Sequence, residues 1–390
     1  MKLCYILPKY TKENAENFYH IVNFLEVLGK VVDIYLIIEE TDFKKVSLKN
    51  IKLIAIVNEK RIIFRFLKFI KFIWHFKQRG VRIYFVRSSL VALLPVIFSN
   101  FFIYFKKGKV IFWSCGQDIV PLNYKVNKKN FKRLISKVLF RISLKLIDFL
   151  ATGPEIMKSY YEDVYKVPNK KIINLYNDIS LNRFYQLDLN QKKLLRQNIL
   201  NTKNKIILYV HTINRARGAD LLHKIGIKIK ENKINCKLVI IGRQGDYSTT
   251  LKDEINSYGL QNVIINLGQI PNKDIHKFYQ VSDLFIMPSR GEGFPRVIIE
   301  SMASGCPTLS FNVGGIKNII PEKIHDSLII DSFDEEKFIK RTLELINDNY
   351  ELKRLSEDCL DFVKKFSTEE VAKMYYDSLN VINESLNSPA

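Results

Sequence analysis

The sequence predicts an α/β protein built as two Rossmann-like domains in series, and three observations predict it. At 390 residues the chain is too long for one ordinary core, and domains of roughly 150–200 residues are the default division. Short apolar runs alternate with longer segments of helical periodicity, the grammar of βα units around a parallel sheet. A hydrophobic content of 47% supplies two cores.

In the first half, strands are expected at residues 2–6, 31–38, 52–57, 81–86, 109–113, 149–152 and 171–175, with helices such as 15–28 and 132–147 between them. The second half repeats the pattern more regularly. Strands are expected at 205–210, 236–241, 262–267, 284–287, 307–311 and 328–330, and helices at 220–232, 273–281, 296–304 and 334–348. The division falls at 1–185 and 186–366. A last helix opens on a capping box at Ser367 and Glu370, and residues 367–390 are expected to pack on the first domain.

Charge is unevenly placed. The net charge is +21, but residues 1–180 hold 32 Lys and Arg against 14 Asp and Glu, and residues 61–150 hold 19 against 2. That asymmetry points to a polyanionic partner for the first half: nucleic acid, a pyrophosphate substrate or an anionic membrane. Residues 61–80 place Arg65, Lys68, Lys71 and His75 at helical spacing among Phe, Ile, Leu and Trp74. A cationic stripe beside aromatic bulk reads as an interfacial helix, with Arg65, Lys68, Lys71 and Trp74 facing a membrane; a core helix with a solvated edge is the other reading. Lys132, Arg133, Lys137, Arg141 and Lys145 form a second basic helix. Residues 88–105 carry no charge, but Pro95, Ser99 and Asn100 interrupt them, so a buried crossover helix is expected rather than a membrane span.

Five scattered cysteines form neither a CxxC pair nor a cluster with histidines, so reduced thiols are expected and no zinc site. The apolar stretch after Lys2 is too short for a signal segment and reads as a first strand. A cytoplasmic protein, held peripherally at the inner face of the cell membrane, is the expectation.

The most informative stretch is SDLFIMPSRGEGFPRVIIESMASGCP at 282–307. It reads as a buried strand, a turn in which Gly291 and Gly293 let the backbone bend around Glu292, and a helix with Pro295 at its first position and Gly305 just past its end. A strand's carboxyl end opening onto a helix N-terminus is where open α/β sheets bind ligands, and the N–H groups of Phe294, Arg296 and Val297 suit a phosphate. Glu292 and Glu300 can then address two parts of one extended ligand. An isolated pair at this spacing is also what a turn residue and a solvated helix residue look like.

The string E-G-F-P-x-V-x-x-E-x-M-A-x-G-x-P, followed by Gly314 and Gly315, resembles the retaining glycosyltransferases of family 4, the glycosyl transferases group 1. Residues 207–222, 237–246 and 263–289 are similar to the same family, and the stretch from Asn177 to Phe184 resembles its boundary motif with Asp178 and Ser180 substituted. The resemblance implies a GT-B fold: two Rossmann-like domains facing each other across a cleft, with a C-terminal helix crossing back.

It also implies roles. Glu292 is to bind hydroxyls of the transferred sugar and act with Arg217 and Arg215 as catalytic groups. Glu300 is to hold the ribose, and Gly293, Phe294, Pro295, Arg296 and Val297 are to line the nucleotide sugar. Arg217, before Gly218, falls at the family's phosphate-binding lysine. Thr212 falls where an arginine is common, with Arg215 as its substitute. Gly242, Arg243 and Gln269 border the nucleobase. No D-x-D motif is present, so no metal and no cofactor is expected, and the leaving diphosphate is to help deprotonate the acceptor. On the acceptor side Lys9, Tyr10, Gln117 and Asp118 are candidates.

The resulting expectation is transfer of a sugar from a UDP-linked donor to a glycan or a polyprenyl-pyrophosphate-linked acceptor at an anionic membrane surface, in bacterial surface polysaccharide assembly. A nucleotide-sugar 2-epimerase is one alternative. A basic nucleic-acid-binding protein is the other, but no nucleic-acid module appears, so nucleic acid is not an expected partner.

Overall fold

The computed structural model describes residues 1–12, 19–103, 108–115, 128–331 and 333–386. Every strand expected from the sequence forms, and all pair in parallel. The chain divides into two units: Met1–Asp178 together with Thr368–Ala390, and Ile179–Ser367.

In the first unit, β1 (Lys2–Lys9), β2 (Asp33–Glu40), β3 (Ile51–Ile56), β4 (Ile83–Arg87), β5 (Lys109–Trp113), β6 (Phe149–Thr152) and β7 (Ile172–Asn174) lie in the order β3-β2-β1-β4-β5-β6-β7. The central strands are apolar on both faces because helices cover both, which is why they read as continuous runs and not as alternation. One face packs on Phe69, Ile73, Phe76, Leu93, Val96 and Leu144. The other packs on Phe24, Leu25 and Leu28, and on Val371, Tyr375 and Leu379 of the last helix, Thr368–Ser385. That helix is anchored at its start, where the Thr368 hydroxyl donates to the Asp178 carboxylate at 2.7 Å.

In the second unit, β8 (Lys205–Val210), β9 (Cys236–Ile241), β10 (Ile264–Gly268), β11 (Leu284–Met287), β12 (Thr308–Phe311) and β13 (Ile329–Ile330) lie in the order β10-β9-β8-β11-β12-β13. Its stiffest polar joint is the Asp283 carboxylate just before β11. Arg196 donates to both its oxygens at 2.8 and 2.7 Å, Lys192 pairs with it at 2.8 Å, and the Ile206 N–H donates at 2.8 Å. Burial raises the Asp283 carboxyl, but these partners outweigh it and hold it below the ordinary value of 3.8.

The structure corrects the expected boundary at 185/186 to Asp178/Ile179. Residues after Asp178 already belong to the second unit: Ile179 bridges Ser367, and the Phe184 ring lies 6.1 Å from that of Tyr279. Pro295 is likewise the residue before the helix Arg296–Ala303 and not its first residue.

A second correction concerns the basic helix. In Ile62–Gln78 the Lys68 ammonium donates to the Val57 carbonyl at 2.6 Å and Arg65 pairs with buried Glu39 at 3.7 Å. Those two cations therefore turn toward the sheet, while Lys71 and Trp74 are exposed. The uncharged crossover forms the helix Leu90–Phe98, capped by Ser89, with a wide turn over Ser99–Ile103. It is buried on one side only: Val91 and Phe98 are exposed. All five cysteines are free thiols, and only Cys115 is less than fully buried.

Candidate functional site

In the second unit the strand order reverses between β8 and β11, because the chain runs from β8 outward to β10 before returning to β11. At such a switch point the loops leaving two neighbouring strands diverge and open a crevice at their carboxyl ends. Here those loops are 211–218 after β8 and 288–295 after β11, and the latter leads into the helix Arg296–Ala303.

The two loops are clamped together. The Arg290 N–H donates to the Ala216 carbonyl at 2.9 Å, and its guanidinium donates to both Asp220 oxygens at 2.8 and 2.9 Å and to Glu335 at 2.9 Å. The approach is close enough to demand glycine at two positions. Gly218 has φ +74, and a Cβ there would lie 2.1 Å from the Pro288 carbonyl oxygen; at Gly314, φ +52, it would lie 1.8 Å from that of Glu292.

Glu292 sits in this clamp with its side chain only 10% exposed. Arg217 Nη1 donates to its Oε1 and to the Gly291 carbonyl at 2.7 Å. His211 Nε2 lies 3.5 Å from the same oxygen. The Thr212 N–H donates to His211 Nδ1 at 2.8 Å, which leaves the ring proton on Nε2, aimed at the carboxylate. Burial raises the Glu292 carboxyl, but the hydrogen bond from His211 and the pairing with Arg217 outweigh it and hold it below its ordinary value of 4.5. Glu292 is thus an ionised carboxylate fixed in orientation before any ligand arrives.

Glu300 lies on the following helix, 12% exposed, with Arg296 Nε 3.7 Å away and buried Tyr279 beside it. Phe294 and Pro295 are buried, the Phe294 ring lying 5.8 Å from Phe366, while Arg296 and Val297 are half-buried at the helix start. The Gly293 carbonyl accepts from the Gly315 N–H at 3.1 Å, so the second glycine of the downstream pair braces the loop.

The other expected site residues are spread around this centre. Thr212 holds His211 through its N–H, and Arg215 lies over the Tyr247 ring at 5.0 Å. Gly242 packs against the His211 carbonyl so closely that a Cβ would lie 1.7 Å from it, whereas Arg243 and Gln269 are exposed. In the first unit, Lys9 belongs to β1 and pairs with Glu40 at 3.6 Å, and Tyr10 stacks on Phe43 at 5.1 Å. Gln117 and Asp118 lie outside the described residues. Among the described residues no group of three or more His, Cys, Asp or Glu is placed to hold a metal ion.

Two residues were missed by sequence reasoning. His211 had a signal, since it is the first polar residue past the central strand at the switch point. Arg290 had none: its partners Asp220 and Glu335 are 70 and 45 residues away.

Residues 190–359 match the sequence profile of the glycosyl transferases group 1. An uncharacterised glycosyltransferase of Methanocaldococcus jannaschii is 31% identical over 175 residues, 44% of each chain. The chain spans about half the length of the curated relatives it matches. Among solved structures, sucrose-phosphate synthase from Thermosynechococcus elongatus is similar with a TM-score of 0.76 at 14% identity, over 99% of this chain and 100% of that one. Anabaena HepE in complex with UDP and glucose is similar with a TM-score of 0.76 at 13% identity, over 98% and 100%. At such identities the likeness shows the fold, two Rossmann-like domains of the GT-B kind.

Proposed function

We propose that the chain is a glycosyl transferase of group 1, the family whose profile residues 190–359 match, and that it moves a sugar, with retention of anomeric configuration, from a nucleoside diphosphate sugar to a glycan or lipid-linked acceptor. One observation carries the reading: the buried, ionised Glu292 is held by Arg217 and His211 at the β8/β11 switch point.

Breaking the anomeric C–O bond builds negative charge on the departing diphosphate and positive charge on the ring. Glu292 accepts hydrogen bonds from hydroxyls of the transferred sugar. Its fixed orientation means no reorganisation at the moment of transfer. The start of the helix Arg296–Ala303 receives the diphosphate through backbone N–H groups and the helix dipole. Arg217 keeps Nη2 and Nε for a phosphate oxygen while Nη1 holds Glu292, since a guanidinium carries five donors in a fixed fork. Glu300 takes the ribose hydroxyls. The donor is UDP-linked and the reaction metal-independent in this reading, with the leaving phosphate helping to deprotonate the acceptor hydroxyl.

A thermal-shift panel of nucleotide sugars and free nucleotides tests it, because a true donor stabilises the fold. Glu292→Gln keeps the shape but removes the charge. Hydrogen bonds to a charged group contribute about 1.5–3 kcal/mol each, so transfer is expected to fall about 100-fold or more while the UDP shift persists. Full transfer by this variant, or no shift with any nucleotide, refutes the assignment.

A further inference from the structure

We infer that the helix layer formed by Ile62–Gln78, Leu90–Phe98 and Lys128–Leu146 in the first unit is a docking face for an anionic phospholipid surface. The inference stands on different residues from the donor site and does not depend on it.

The evidence is which side of each helix faces water. Helix Ile62–Gln78 buries Phe69, Ile73 and Phe76 and turns Ile63, Leu67 and Trp74 outward. Its Ile62 and Ile63 are 79% and 73% exposed. The neighbouring helix leaves Val91, Leu94 and Phe98 exposed, and the Phe66 and Phe98 rings, 5.5 Å apart, join the two surfaces. Helix Lys128–Leu146 exposes Val138, Ile142 and Leu146 on one stripe. A single exposed apolar residue is ordinary, but a run across three packed helices marks an interaction surface. In the second unit, exposed Leu189 and Leu194 share one helix, while Tyr185, Tyr258, Phe333 and Tyr350 are scattered along the chain.

Charge selects the occupant. None of the three helices contains Asp or Glu. Lys71, Arg141 and Lys145 are exposed between the apolar side chains. A polynucleotide would satisfy these cations but leave the isoleucines, leucines and Trp74 without an apolar partner. A second copy of the face would bring like charges together. A bilayer interface accepts both sets, aliphatic and aromatic groups at the acyl boundary and cations at the lipid phosphates. Among the described residues no helix is long and apolar enough to cross a membrane. The structure also shifts the contact from the Arg65–Lys68 stripe to the opposite, apolar side of the same helix.

The test is flotation of the full chain with vesicles of phosphatidylcholine alone and of phosphatidylcholine mixed with phosphatidylglycerol, read also by tryptophan emission. The chain has two tryptophans, exposed Trp74 and buried Trp113, so Trp74 should shift to the blue and be quenched by brominated lipid. Binding should require the anionic lipid and fall ~5-fold for each of Lys71→Gln and Lys145→Gln. Leu67→Asp with Trp74→Asp should reduce it about tenfold or more, with an unchanged melting curve and an unchanged nucleotide shift. No binding to anionic vesicles, or equal binding by Leu67→Asp/Trp74→Asp, overturns the inference. So does a dimer that the same double variant dissolves, or displacement from vesicles by duplex DNA at high salt. Each of these leaves the donor-site reading standing.

Discussion

Removing the Arg290 side chain should loosen the donor loops by an amount the structure lets us work out. Arg290 is 31% exposed, Asp220 17% and Glu335 35%. The two parallel bonds to Asp220 are charge-assisted and partly desolvated, so they contribute about 1.5–3 kcal/mol together. The bond to Glu335 is more exposed and shared with Lys224 at 2.7 Å, so it adds only about 0.5 kcal/mol. Arg290→Met should therefore cost about 2–3.5 kcal/mol of the second unit's stability. The coupling energy of a cycle with Asp220→Asn should be about 1.5–3 kcal/mol. Arg290→Lys, a point charge without the fork, should recover less than half. The assay is urea unfolding followed by circular dichroism and by tryptophan emission together. Both tryptophans lie in the first unit, so a transition seen by dichroism and not by emission belongs to the second. Because the same guanidinium ties Asp220 to the loop carrying Glu292, the variant should also show a smaller nucleotide-sugar thermal shift. A coupling energy below about 0.5 kcal/mol would refute the clamp.

Gly314→Ala places a Cβ 1.8 Å from the Glu292 carbonyl oxygen at φ +52; a left-handed alanine alone costs about 1 kcal/mol, and the clash should displace Glu292, so donor turnover should fall more than melting temperature does. Asp283→Ala leaves Arg196 buried without its partner and should cost about 3–5 kcal/mol by dichroism-monitored unfolding, far more than any exposed pair. In acid, Asp283 and Glu292 act in the same direction. Their folded values lie below the ordinary 3.8 and 4.5, so the unfolded chain binds more protons in that window and stability rises with pH through it. The stabilisation is complete above the ordinary carboxylate values and is lost as pH falls through the depressed ones. Melting temperature against pH should show this limb, and Glu292→Gln should flatten it.

The parallel sheets were legible because each strand is covered on both faces and so appears as an uninterrupted apolar run such as 205–210 or 284–287. The glycine turn and the helix after it were legible because their chemistry is local. What stayed hidden is what depends on distant partners. Helix Ile62–Gln78 is apolar nearly all round, so periodicity could not choose its buried side. Lys68 and Arg65 point inward only because the Val57 carbonyl and Glu39 await them. The unit boundary depended on Ile179 finding Ser367, almost two hundred residues on.

The same distinction decides what the arginines do. By position, Arg217 reads as a phosphate ligand and nothing more. In place, its Nη1 is committed to Glu292 and the Gly291 carbonyl, so the residue also orients the carboxylate. This makes Thr212 less of a gap than its side chain implies. Its backbone N–H binds His211 Nδ1, which turns Nε2 toward the same Glu292 oxygen that Arg217 holds. Arg215 lies over Tyr247 and its carbonyl accepts from Arg290 Nη1, so it joins the clamp through its backbone.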